Sequence, residues 1–322
     1  MNRTKSLQNF LLLIAAAVSF LFFYAPAQAE VNTDSSIQAL TLSPFIFDEK
    51  IGKGQSATEN IILTNTSSSP LNLTVEVSDF IPDQDGGRPI FDPNHSNSNP
   101  RYSLSSWIKI DKAPTTLNGG SKVSIPITIN VPIDTEDGSH YGGVLFTYST
   151  PGESGSVSVV KKAATLFFVQ TGVANPSLLI THFASEKRLI LANNVNFVTE
   201  LTNTGNVHLS PKGNIQITNI FGSLVAAVPV NRDSNIVLPG TNRTFLSNWS
   251  EGFHFGPYHL NEVIYYNAPG GQNFEIRSSN IIWFFPVKMF IISIIALLIL
   301  FCFGKLALKK YKNYVIKSAE RE

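Results

Sequence analysis

Cysteine is nearly missing from this 322-residue chain: the only copy, Cys302, lies inside a long apolar run near the C-terminus. Residues 30–280 therefore cannot form a disulfide. Small animal extracellular domains usually depend on disulfides, so an exported chain without them points to a bacterial surface. Also missing between Glu30 and Asn280 is any sustained helical period, which excludes bundles and α/β folds. Positive charge is scarce there too. Residues 30–280 hold 15 Lys+Arg against 21 Asp+Glu, a net of −6 hidden by the overall +1. Phosphate backbones demand basic patches, so nucleic acid is excluded as a partner.

Catalytic signatures are absent as well. There is no G-x-S-x-G elbow, H-E-x-x-H, P-loop or dinucleotide fingerprint. Outside the apolar run there is no cysteine nucleophile, and the six histidines are scattered. His254 and His259 have no flanking carboxylates in a metal-site pattern. Asp83-Gln84-Asp85-Gly86-Gly87 resembles the start of a calcium loop, but it lacks the third oxygen ligand and the distal glutamate, and Asp-Gly is also a strong turn signal. The reading is a non-enzymatic protein with no cofactor and no metal. A Ser, His and Asp converging from distant positions is the remaining route to catalysis.

What is present begins with the two ends. Arg3 and Lys5, the apolar run Phe10 to Tyr24, and Ala27-Gln28-Ala29 form an export signal over residues 1–29, with the mature chain starting at Glu30. An uncleaved anchor is the alternative. Residues 281–304 are apolar apart from Lys288, long enough to span about 30 Å of hydrocarbon. Trp283, Phe284 and Phe285 supply an interfacial aromatic belt. Lys305, Lys309, Lys310, Lys312, Lys317 and Arg321 make residues 305–322 a basic tail, placed in the cytoplasm by the positive-inside rule. The expected location is a cell membrane crossed once, with residues 30–280 outside. The tail is too short for a signalling domain.

Between these ends the chain alternates. Leu71, Leu73, Val75 and Val77 interleave with polar residues, as do Val123 to Val131 and Val195 to Leu201. That is the period of half-buried strands, and Pro126 marks an edge. The chain also echoes itself: Leu63-Thr64-Asn65-Thr66 matches Leu201-Thr202-Asn203-Thr204, and Gly138 with Tyr141 matches Gly256-Pro257-Tyr258. A buried tyrosine whose hydroxyl caps nearby backbone is a recurrent sandwich device. The expected fold is all-β: two tandem immunoglobulin-like β-sandwich domains at 30–174 and 175–280, plus one C-terminal transmembrane helix. A single large β-domain is the alternative. Leu238-Pro239-Gly240-Thr241 lacks the glycine a sortase signal needs next, and reads as a turn before the strand holding Phe245.

Aromatics can stack on sugars or anchor a protein interface. The candidates are Phe91 and Tyr102 in the Asp/Pro/Asn/Ser-rich stretch 81–105, and Phe253 and Phe255 in the 249–258 segment. Trp107, Trp249 and Tyr258 are read as core. The layout, with the Leu-Thr-Asn-Thr strand ends, the run Val123 to Pro132, Gly138-Ser139-His140-Tyr141-Gly142-Gly143 and Asn203-Thr204-Gly205-Asn206-Val207, resembles the WxL-interacting cell-surface proteins of Gram-positive bacteria. That resemblance implies a peptidoglycan-binding first domain and a partner-binding second one. The functional expectation is a membrane-anchored surface protein binding cell-wall polymer or a surface protein. The alternatives are an envelope assembly component working by strand addition, and a tethered enzyme with convergent acidic residues in a cleft.

Overall fold

The computed structural model describes residues 39–83, 88–92, 99–149, 160–187, 189–190, 194–250, 255–267, 271–285 and 287–319. The export-signal segment, Asp85 and Phe253 lie outside them.

Ten strands form the first half: β1 Leu40–Ser43, β2 Ile46–Lys50, β3 Ser56–Asn65, β4 Leu71–Pro82, β5 Pro89–Asp92, β6 Ile108–Ile110, β7 Thr116–Leu117, β8 Lys122–Asn130, β9 Gly138–Ser149 and β10 Val160–Thr171. They build a four-stranded sheet, β1-β3-β8-β6, and a six-stranded one ordered β2-β10-β9-β4-β5, with β7 also on β4. Period-2 alternation turns Ile61 and Leu63 of β3, Ile125, Ile127 and Ile129 of β8, and Phe146 and Phe167 of the facing sheet into one core. Pro126 sits just beyond the stretch of β8 covered by β6, which pairs only with residues 127–129. The edge position read from Pro126 is thus local, and β8 otherwise runs inside its sheet.

Eight strands follow: β11 Leu178–Ser185, β12 Leu189–Ile190, β13 Val195–Asn203, β14 Lys212–Asn219, β15 Leu224–Val230, β16 Asn242–Trp249, β17 Gly256–Asn267 and β18 Asn273–Phe284. Their sheets are ordered β11-β13-β16 and β12-β18-β17-β14-β15. The larger sheet repeats the order β2-β10-β9-β4-β5 of the first half, whereas β6 and β7 have no counterpart among the described residues. In both halves a short edge strand pairs in parallel with the last long strand, β2 on β10 and β12 on β18. A second core gathers Phe197, Leu201, Ile215, Ile217, Trp249, Tyr258 and Phe284. Trp107, Trp249 and Tyr258 are buried, as core residues should be.

The Leu-Thr-Asn-Thr echo has a physical cause. Asn65 and Asn203 end equivalent strands and are fully buried. Asn65 Nδ2 donates to the Ser69, Leu117 and Asn118 carbonyls, while its Oδ1 accepts from Ser67 N–H. Asn203 does the same with Val207, Val237 and Gly205. Each amide ties its own turn to a distant loop and satisfies carbonyls that burial would orphan.

The helix α1, Val287–Ala319, follows β18. It begins later than residue 281, because Ile282 and Phe284 complete β18 and point into the second core. It also continues through most of the lysine-rich stretch. Phe290–Asn313 is long and apolar enough to cross a membrane, and none of it is buried against the rest of the protein.

Candidate functional site

Every strand carries two rows of backbone groups, and a row without a neighbour is a template for another strand. β10 pairs with β9 along its whole length, Val160 to Thr171. On its other side β2 covers only Leu166 to Gln170. Leu166 N–H donates to Phe45 O at 2.8 Å, and Ile51 N–H to Gln170 O at 3.0 Å. Even-numbered residues therefore turn their backbone groups to this side, and by the strand's alternation Val160, Lys162 and Ala164 offer N–H and C=O to an edge that no strand occupies among the described residues.

The edge has a chemical character. Ala163 is small, half-buried and packed against the first core. Lys161 and Lys162 fall on opposite faces. A second copy of the same edge would bring lysines together, so the edge repels itself and favours a neutral or acidic strand. The matching edge of β18 carries the Glu275–Arg277 ion pair instead.

The inner end of β10 runs into the joint between the sandwiches. Phe80, Tyr141 and Phe168 form a small buried cluster, with Phe91, Tyr102 and Leu166 of the first sandwich and Ile236 and Leu238 of the second packed on it. Asn206 fastens the connecting segment. Its Nδ2 donates to Val173 O and Asp137 O, its Oδ1 accepts from Asn175 N–H, and its carbonyl accepts from Ser139 N–H. A Cβ on Gly138 would sit 2.5 Å from that carbonyl, and one on Gly143 would sit 2.7 Å from the Phe91 ring. The sequence 138–143 is therefore a packing motif for the joint. His208 reaches across to Asp48 at 3.2 Å and Ser139 at 3.2 Å. The His208 hydrogen bond holds the Asp48 carboxyl below its usual range, against the opposing effect of burial.

Several clefts open at this joint, two of them beside the aromatic cluster. One, of about 420 Å³, is walled by Phe80, Tyr102 and Tyr141 opposite Leu238 and Gly240. The other, of about 270 Å³, adjoins β10 through Leu166 and Phe168 and carries Arg88 and Arg243. Burial pushes the Arg243 guanidinium down; it donates to Ile236 O at 2.7 Å. Leu238-Pro239-Gly240-Thr241 is the turn before β16, with Thr241 N–H and Oγ1 both donating to Leu238 O.

The sequence-chosen aromatics fall in different places. Phe91 is half-buried, edge-on to Phe80. Tyr102, also half-buried, lines the cleft walled by Phe80 and Tyr141. Phe255 is exposed beside Phe290 of α1, ring centroids 6.1 Å apart. Phe253 lies outside the described residues. Tyr141 differs from the sandwich device expected of it. Its ring faces the joint, and burial lifts its phenol well above the usual range, offset in part by Ser139 and the His208 backbone, neither in hydrogen-bonding geometry. The β10 edge escaped sequence reading because the pairing that defines it joins residues 46–50 to 166–170.

Among the described residues no three His, Cys, Asp or Glu side chains gather as a metal site. No protein-family model and no curated protein matches the chain. Solved structures do resemble it. The YadV chaperone is 10% identical with a TM-score of 0.41, covering 75% of this chain and 100% of its own. The class 5 fimbriae chaperone CfaA is 15% identical at 0.38, covering 77% and 99%. A chaperone–tip adhesion subunit complex from Csu pili of Acinetobacter baumannii is 12% identical at 0.37, covering 74% and 97%. These neighbours correct the resemblance to WxL-interacting proteins: one is a chaperone, one a fimbriae chaperone and one a chaperone–subunit complex of pili, and none is a WxL-interacting surface protein.

Proposed function

We propose that this chain is a non-catalytic assembly component of a bacterial envelope, tethered to a membrane by α1 and joining a protein partner by strand addition at the outer edge of β10. The observation that carries this reading is the half-covered strand. β2 stops at Leu166, and the regular ladder with β9 holds Val160, Lys162 and Ala164 with their backbone groups set for a further strand. The two sandwiches are read as immunoglobulin-like copies of one unit, exported beyond the membrane, with the basic end of α1 in the cytoplasm.

Proline tests the edge selectively. At positions 162 and 164 it removes an outward N–H and leaves the β9 ladder intact, since edge strands tolerate proline there. Lys162→Pro and Ala164→Pro are expected to reduce recovery of a cross-linked partner at least tenfold while the unfolding midpoint moves by only a few degrees. Ala163→Pro, which strikes the β9 side, is expected to destabilise the fold. Unchanged partner recovery in both edge variants refutes strand addition at β10.

A further inference from the structure

The β14–β15 hairpin carries no charged residue from Gly213 to Asn231, and its tip is apolar and bare. Phe221 is 84% exposed, Leu224 62% and Ile220 59%. The turn is held rigidly. Asn219 Oδ1 accepts from both Phe221 N–H and Ser223 N–H, Asn219 N–H donates to Ser223 O, and Gly222 supplies a φ of +78°. A fixed turn displaying a phenylalanine to solvent has something else to contact.

The register says where the tip lies. Asn219 pairs with Tyr258, and Tyr258 with Ile282. From that level the hairpin continues through Ile220 and Phe221, while β18 continues through Trp283 and Phe284 to α1 at Val287. Two residues of strand are roughly 7 Å, so the tip stands level with the root of the apolar helix. It is two strands away, roughly 10 Å to the side. The same end of the sandwich exposes Phe255 and Trp283, and Phe285 stacks on Phe290 at 4.4 Å.

We infer that the Ile220–Leu224 tip is a second membrane contact, dipping into the headgroup–acyl boundary beside α1 and fixing the tilt of the second sandwich on the bilayer. The occupant is a lipid surface because the tip stands level with the helix root, where exposed Phe255 and Trp283 have the character of an interfacial belt. This inference rests on the reading of α1 as a membrane span.

The test uses the full chain in phosphatidylcholine/phosphatidylglycerol nanodiscs with an environment-sensitive fluorophore at one cysteine. The native Cys302 reports the helix. With Cys302→Ser in the background, Phe221→Cys reports the tip, and Leu246→Cys on β16, 74% exposed, reports open solvent. The expected result is quenching by doxyl-labelled lipid at positions 302 and 221, several-fold above that at 246, with iodide quenching in the reverse order. Lipid quenching at 302 with position 221 matching 246 overturns the inference and leaves the span standing. No lipid quenching at 302 overturns the span, and the inference with it.

Discussion

Glu262 shows how much one residue can cost. It sits on β17 between Leu260 and Ile264, fully buried, and accepts a hydrogen bond from the Thr199 hydroxyl while its second oxygen has no partner. Burial raises the carboxyl from 4.5 to about 7, with Thr199 opposing. A carboxyl raised on folding destabilises the fold as pH climbs from its unfolded value through its folded one. The penalty is absent near pH 4 and complete above pH 7, at about 3 kcal/mol. Glu262→Gln is therefore expected to match the native chain in denaturant melts at pH 4.5 and exceed it by about that amount at pH 8. The phase of the strand carried this in the sequence: Leu260 and Ile264 point inward, and Glu262 shares their face. The buried asparagines predict the opposite. Asn65→Ala and Asn203→Ala each strand buried carbonyls, and each is expected to cost about 2–4 kcal/mol in the same melts.

At the scale of elements, alternation made the strands readable. Val123 to Val131 and Val195 to Leu201 became β8 and β13, and the two Leu-Thr-Asn-Thr repeats marked equivalent strand ends. Local patterning does not encode pairing between distant residues, so the open flank of β10 and the cluster of Phe80, Tyr141 and Phe168 were not legible. Aromatic identity was also ambiguous. Phe91 looked like a displayed loop residue, yet it packs on Gly143 and Phe80. The apolar helix was legible in kind but misplaced at its start, because Ile282 and Phe284 are as apolar as the residues that follow and serve a strand. If α1 spans a bilayer, Leu298→Arg at its middle should oppose insertion by about 3 kcal/mol, seen as a fall in the alkali-resistant membrane fraction. An unchanged fraction would count against the span.

Among the described residues, two sandwiches whose larger sheets share one strand order are held at a joint made of Asn206, the aromatic cluster and the Asp48–His208 contact. Asp48 has a lowered carboxyl in the folded chain, so the contribution of its contact is full above the ordinary aspartate range and lost as pH falls through the lowered value. Asp48→Asn should remove that acid-side change from inter-sandwich distances measured by paired spin labels, leaving the distances at neutral pH broader than in the native chain. The inner end of β10 lines the arginine-bearing cleft through Leu166 and Phe168, and the same strand leaves its edge open from Val160 to Ala164. Amide hydrogen exchange along β10, with the full chain alone and bound to its cross-linked partner, distinguishes strand addition from any other mode of contact. Strand addition predicts that the amides of Lys162 and Ala164 slow at least tenfold on binding while Lys161 and Ala163, already paired with β9, change little. Equal exchange at Lys162 and Ala164 in the free and bound states would contradict it.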